Sequence, residues 1–279
     1  MTSLALTAER EFARDFYPSV DWEQATINTG GQFHRVLIAE GQAVIRMART
    51  KQASDDMPRS VQLHARMNEL LDYQVPRPLS GVGRFQDLNA VVMSYVPGTA
   101  HPPHQGDPQV LRRVVTELAR IPLGELEGLL AEPFAFRGPW TETRIAETYN
   151  GLPVELRAPA QALWAQLPLL AQVPAGLVHG DLAGHNMHWV DGELVGLLDW
   201  DLAAGWDPAL NSAYLGLWHG RELIEKIAPD PATAHRAKIW LGLMALERVS
   251  DTLSRDDNPR MDKLLAKVAP RVMDAAAVL

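Results

Sequence analysis

Three residues of this chain have the types and spacing that phosphate chemistry needs. Asp181 and Asn186 share the run Val178-His179-Gly180-Asp181-Leu182-Ala183-Gly184-His185-Asn186, and Asp199 ends the apolar run Gly196-Leu197-Leu198. A hydroxyl attacking the γ-phosphate of a nucleotide requires a carboxylate to take its proton, and oxygen ligands to hold Mg²⁺ against the phosphates. The order acid, amide, acid supplies both, with Asp181 as the base and Asn186 and Asp199 as metal ligands. Each segment also has a plainer reading: a lone His-Gly-Asp is commonly a turn, and Asp199 alone would serve as an N-cap or a surface acid. His179, His185 and His188 raise zinc as another reading, although no cysteine or glutamate-containing zinc motif accompanies them.

These residues give the chain a resemblance to the aminoglycoside phosphotransferase family, small-molecule kinases with a fold similar to that of protein kinases. It is carried by His179-Gly180-Asp181-Leu182 with Asn186 after three variable residues, by Leu198-Asp199-Trp200-Asp201, and by Gly205-Trp206-Asp207-Pro208. The resemblance is specific over residues 177–211 and weaker in the N-terminal third. It implies an α+β, two-lobed, protein-kinase-like fold: a small antiparallel β lobe with a helix over 1–94, a hinge at 95–98, and a larger, mainly helical catalytic and substrate lobe over 99–279. It also implies that His179 packs under the loop and that Asp207 helps hold the catalytic segment. For Asp207-Pro208, a capping acid followed by a first-turn proline is reason enough. Where the family often has a further aspartate, Asn211 stands.

The positioning elements follow from periodicity and punctuation. A helix is expected at 7–16. Residues 25–48 alternate apolar and polar types around Gly30-Gly31 and Glu40-Gly41, the pattern of consecutive antiparallel strands. Gly30 and Gly31 are either a nucleotide loop, where bare backbone approaches phosphates, or an ordinary hairpin turn. The strand at 43–47 puts Arg46 on a face with Val44 and Ala48. By resemblance Arg46 takes the place of the cation that grips nucleotide phosphates; alternatively it is an edge-strand arginine whose stem covers the core. A helix at 57–73 ends at Val75-Pro76, and the glutamate that usually pairs with the strand cation falls at Met67, or at Glu69 with a shifted alignment. The buried strand at 89–96 ends at Pro97-Gly98, which makes Ser94, Tyr95 and Val96 hinge candidates for the adenine edge. Residues 101–108 are too rich in breakers for regular structure. Helical segments are expected at 108–119, 142–148, 153–169, 207–219 and beyond Pro231, interrupted by a hairpin of 187–189 and 194–198 around Asp191-Gly192. Trp206, Trp218 and Trp240 belong to the core or to a substrate cleft.

Composition narrows the partners. At 279 residues the chain has room for two lobes, and a net charge of −8 argues against nucleic acid. The absence of cysteine excludes thiolate chemistry and disulfides. No apolar run approaches membrane-spanning length and the start carries no secretory pattern, so a cytoplasmic protein is expected. The expected partners are ATP or GTP with Mg²⁺ and a small molecule bearing a hydroxyl: an aminoglycoside or macrolide antibiotic, or a metabolite such as an amino alcohol or sugar. A nucleotide-binding pseudokinase without turnover is the alternative. The acceptor pocket is expected between the catalytic loop and the helices after Pro231, where Glu247, Asp251, Asp256 and Asp257 are acids that could attract a cation.

Overall fold

The computed structural model describes residues 2–4, 7–254 and 261–279. Asp256 and Asp257 lie outside the described residues. In chain order the elements are β1 (Thr2–Leu4), α1 (Thr7–Phe16), β2 (Thr26–Asn28), β3 (His34–Ala39), β4 (Ala43–Ala48), α2 (Lys51–Leu70), β5 (Gly83–Phe85), β6 (Leu88–Ser94), β7 (Thr99–Ala100) and α3 (Pro108–Arg120). There follow α4 (Glu142–Gly151), α5 (Val154–Trp164), α6 (Leu167–Leu170), β8 (Gly176–Val178), β9 (Met187–Val190), β10 (Glu193–Leu197), β11 (Ala204–Trp206), α7 (Ala209–His219), α8 (Ile224–Ile227), α9 (Pro231–Leu253) and α10 (Met261–Ala276).

The chain forms two compact units. One comprises Met1–Ala100, Leu126–Leu129 and His185–Trp200; the other holds His101–Glu125, Leu130–Gly184 and Asp201–Leu279. The β9–β10 hairpin therefore groups with the first hundred residues, a pairing in space that the order of the chain does not announce. Its two-residue turn, Asp191-Gly192, has both residues at positive φ, 49° and 85°, the twist that tight hairpins require.

In the first unit the sheet runs β1-β2-β3-β4-β6-β5, antiparallel throughout. Alternation along β4 sorts its side chains. Ala43, Ile45 and Met47 are buried in a core with Trp22, Leu37 and Val92, while Val44 and Arg46 are half-buried on the opposite face. Helix α2 lies on that opposite face, where Met57 and Ala53 pack with Val91 and Met93. It begins at Lys51, six residues before the start that the sequence suggests, capped by Thr50 Oγ1 accepting from the Ala53 amide at 3.1 Å. Pro58 looks like a first-turn proline but lies inside the helix. The Ser54 carbonyl that a proline at 58 leaves without its helical donor is served by Asn89 Nδ2 at 2.7 Å, a tertiary bond from β6.

In the second unit, α5, α7, α9 and α10 surround an apolar core that includes Leu163, Ala213, Leu243, Leu246 and Val272. The segment expected as one helix over 153–169 is two, α5 and α6, separated at Ala165–Gln166. Strands β8 and β11 form a short antiparallel ladder, pairing Val178 with Ala204, and the loop that begins at His179 leaves from its end.

Met67 is fully buried, so an acid at this position would lose its hydration without gaining a partner. Met67→Glu is expected to lower the unfolding free energy by about 3 kcal/mol or more in urea titration. A change within about 0.5 kcal/mol, the range of surface substitutions, would contradict that burial.

Candidate active site

Most of the residues that the sequence singles out line one cavity of about 580 Å³ in the first unit: Gly30, Gly31, Arg46, Ser94, Tyr95, Val96, Asn186 and Asp199. His34, His64, His185 and His188 line it too. The glycine loop joins β2 to β3. A Cβ at Gly31 would stand 2.7 Å from the His34 carbonyl oxygen, so only glycine fits there without a shift. The loop is held by Arg49, whose Nη1 donates to the carbonyls of Thr29 at 2.9 Å and Gly31 at 2.6 Å.

At the end of β6, the Ser94 amide donates to the Arg77 carbonyl at 2.7 Å, and Ser94 Oγ accepts from the Arg77 amide at 2.8 Å. Burial and the nearby Glu40 carboxylate push the Tyr95 phenol upward. His188, without an assignable role in the sequence, donates from Nδ1 to the Val96 carbonyl at 3.0 Å; a carbonyl can only accept, so this nitrogen carries the proton. Gly98, at φ 103°, lies so close to β9 that a Cβ would fall 2.7 Å from the Trp189 carbonyl oxygen.

Asn186 is buried, and its carbonyl accepts from the Leu198 amide at 2.8 Å, tying the end of the loop to the end of the hairpin. Asp199 stands next to that bond with φ at 62°, a left-handed conformation that aspartate tolerates better than most residues, and its side chain is half exposed. Its Oδ1 lies 3.9 Å from Arg46 Nη2. The helix partner of Arg46 is neither Met67 nor Glu69: Met67 is in the core, and Glu69 pairs with Arg66 at 2.6 Å. What α2 presents is His64, with Nε2 3.5 Å from Arg46 Nη1, while His34 Nδ1 is 3.1 Å from Nη2. The missing helix acid therefore no longer argues for a chain without turnover.

Asp181 belongs to the second unit, in the loop after β8. Gly180 has φ at 84°, and any Cβ there would overlap the Leu202 carbonyl oxygen. His179 is fully buried, as expected, and its Nδ1 accepts from the Asp181 amide at 3.3 Å. Its own backbone N–H donates to Asn211 Oδ1 at 3.1 Å, and Asn211 Nδ2 donates to the Leu177 carbonyl at 2.9 Å. This arrangement needs a group that both donates and accepts, which the amide does and a carboxylate does not. Asp207 is buried under the same segment, accepting from Arg236 Nε at 3.1 Å, Trp240 Nε1 at 2.8 Å and the Ala209 amide at 3.0 Å.

Beside this loop, Gly180, Leu202, Trp206, Tyr214, Trp240 and Glu247 line a second cavity. Trp206 is thus both core and cleft, edge-on to Trp240 at 5.2 Å and to Phe134 at 4.4 Å. Glu247 is held above the ordinary carboxylate range by burial, against the pull of Arg137, 3.8 Å away, and of Arg144. The Tyr214 hydroxyl is pushed far up by burial and by the negative fields of Glu247 and Asp181. Among the described residues no group of three His, Asp or Glu is placed to hold a metal ion.

Comparison with known proteins gives a consistent result. The model of the phosphotransferase enzyme family matches residues 23–230. A viomycin phosphotransferase of Streptomyces vinaceus is 31% identical over 243 residues, 78% of this chain and 83% of that protein. The fold is similar to that of APH(2")-IIIa in its GDP and kanamycin complex, with a TM-score of 0.75, 16% identity, and coverage of 94% of this chain and 97% of that one. It is also similar to a macrolide 2'-phosphotransferase of Brachybacterium faecium, with a TM-score of 0.64, 18% identity, and coverage of 98% and 97%.

One contact of the Asp181 loop has no forerunner in the sequence reading. The indole of Trp218, at the end of α7, is packed close against Gly184, and its Nε1 donates to the His101 carbonyl at 3.0 Å. A Cβ at 184 would overlap the indole. Gly184→Ala is expected to lower turnover at least tenfold with folding largely retained, since a misplaced loop costs far more in rate than in stability. Assay of Gly184→Ala against Gly184→Ala/Trp218→Ala checks this, the double variant recovering part of the loss; equal turnover in Gly184→Ala and the parent would contradict it.

Proposed function

Because the chain belongs to the phosphotransferase enzyme family, we propose that it moves the γ-phosphate of ATP or GTP to a hydroxyl of a small polycationic antibiotic. The observation that carries this reading is the opening of Arg46, Asn186, Asp199 and the Gly30-Gly31 loop onto a single cavity. In this reading residues 1–94 bind nucleotide, 95–98 form the hinge with Ser94 and Tyr95–Val96 against the base, and 99–279 carry catalysis and the acceptor.

Asp181 accepts the acceptor's hydroxyl proton as its oxygen bonds to the γ-phosphorus, and the bond from that phosphorus to the β–γ bridging oxygen breaks, leaving nucleoside diphosphate. His179, with its bare Nδ1 on the Asp181 amide, and Gly180 hold this carboxylate in place. Arg46 grips nucleotide phosphates with a planar fork suited to them. Asn186 and Asp199 offer the oxygen ligands that Mg²⁺ prefers, and that ion asks for only one or two protein ligands beside substrate phosphates, so the donor set fits. When bound, Mg²⁺ would neutralise charge on the β- and γ-phosphates.

For the acceptor, the related viomycin phosphotransferase supports a cation, the net charge of −8 permits one, and Glu132 and Glu247 are the acids lining the cavity beside Gly180. Among the described residues no helix is long and apolar enough to cross a membrane, in keeping with a cytoplasmic enzyme that draws on the cell's nucleotide pool.

Asp181→Asn keeps the shape and removes the proton acceptor. It is expected to lower kcat by roughly 10²- to 10⁴-fold while nucleotide affinity by calorimetry stays within about threefold. Turnover within about threefold of the parent would sink the assignment of the base.

A further inference from the structure

Arg46 offers only N–H donors, so each group that faces it must accept. His64, on α2, is buried at 1% exposure, and its Nδ1 lies 2.8 Å from the carbonyl oxygen of Ser60, one turn earlier, with Ser60 Oγ at 3.4 Å. Since that carbonyl cannot donate, Nδ1 carries the proton. In the neutral ring Nε2 is then bare, and it is the atom that faces Arg46 Nη1 at 3.5 Å. The bond to Ser60 fixes the ring, so Nε2 cannot turn elsewhere without breaking it. On the other side His34 Nδ1, 3.1 Å from Nη2, is a bare nitrogen by the same reasoning.

We propose that His64 is the positioning residue of Arg46, acting as a neutral imidazole, so that nucleotide binding weakens when this ring takes a proton. The inference rests on the reading of Arg46 as a phosphate-binding residue. Around this pair stand His34 from β3, 3.1 Å from Arg46 Nη2, and Asp199 after β10, 3.9 Å from the same nitrogen; Arg46 from β4 faces the ring itself, and Ser60 is its contact within the helix. A proton on Nε2 sets N–H against N–H and adds a positive charge beside the guanidinium, while the bond to Ser60 keeps the buried ring from turning away. The arginine is then displaced from its set position. The competent state holds the neutral ring, so affinity is intact at high pH and is lost as pH falls, by up to about tenfold per pH unit for one such proton.

Calorimetric titration with ATP, or with GTP if it binds more tightly, from about pH 5.5 to about pH 8.5 tests this on the parent, His64→Gln and His64→Leu. Glutamine keeps an acceptor that does not titrate; leucine removes it. At the alkaline end His64→Gln is expected within about threefold of the parent and His64→Leu about tenfold weaker. Toward acid the parent should lose about tenfold more affinity than His64→Gln, and the nucleotide's own phosphate titration cancels in that ratio. Parallel profiles for the parent and His64→Gln overturn the proposal, as does a folded His64→Leu that binds like the parent at alkaline pH. If His64→Leu does not fold, long-range nitrogen–proton NMR of the His64 ring at neutral pH decides alongside the glutamine profile: a proton on Nδ1 alone is expected, and one on Nε2 overturns the proposal. Arg46→Met separates the two levels. Unchanged affinity there overturns the phosphate role of Arg46 and this proposal with it, whereas a large loss there with parallel histidine profiles overturns the proposal alone.

Discussion

A permanent positive charge on the half-buried face of a strand is the constraint around which the first unit is arranged. Arg46 cannot shed its proton, so the folded chain must surround it with acceptors or leave a costly unmet charge. Register does much of this. Antiparallel pairing of β3 with β4 sets Val36 opposite Arg46, which leaves His34, two residues away on the same face, able to reach the guanidinium. The helix that covers this face contributes His64, and the chain after β10 contributes Asp199. Two imidazole rings lie closer to the fork than the one carboxylate, which stands 3.9 Å away and is half exposed, so the guanidinium is oriented without a tight ion pair. A strongly paired arginine would have to give up that partner before it could bind a nucleotide.

The second unit solves a different problem: a loop must leave a two-stranded ladder of three residue pairs and hold Asp181 in one orientation. The backbone there turns through the left-handed region at Gly180, pressed on the Leu202 carbonyl, and the polar groups it exposes are met by His179 and Asn211. Asp207 stabilises the start of α7, from which Asn211 reaches back, by meeting Arg236 and Trp240 in the core. The loop is thus braced by α7 at three points, Asp207, Asn211 and Trp218, all inside or flanking one helix. Rigidity of this kind is what positional catalysis of phosphoryl transfer requires.

The residues proposed to do chemistry stand out in the sequence because their types and spacing are restrictive: an acid, an amide five positions on, and a second acid after an apolar strand. Likewise, turn residues announced the β9–β10 hairpin, and Pro97-Gly98 announced the end of β6. What was not readable depended on which faces meet. The family resemblance points to Met67 rather than His64; only the docking of α2 on β4 shows that the residue one turn earlier faces the strand. The tolerance of Pro58 inside α2 has a related cause, since the donor that serves the Ser54 carbonyl, Asn89, comes from a strand thirty-one residues later. His188 had no legible role because its partner is a backbone carbonyl, and backbone carries no sequence signature. Asn211 was noticed as a departure, yet its two-sided bonding could be recognised only with the Leu177 carbonyl and the His179 amide in view.

The central claim is that this chain catalyses transfer of a nucleotide's γ-phosphate to the hydroxyl of a polycationic antibiotic. The most direct measurement is incubation of the purified protein with Mg²⁺, γ-labelled ATP or GTP, and viomycin or an aminoglycoside, followed by mass spectrometry and phosphorus NMR of the antibiotic. The account predicts one labelled phosphate ester on the antibiotic with stoichiometric release of nucleoside diphosphate, absent with Asp181→Asn. Unmodified antibiotic from every member of such a panel, with the nucleotide intact or hydrolysed to free phosphate, would contradict it.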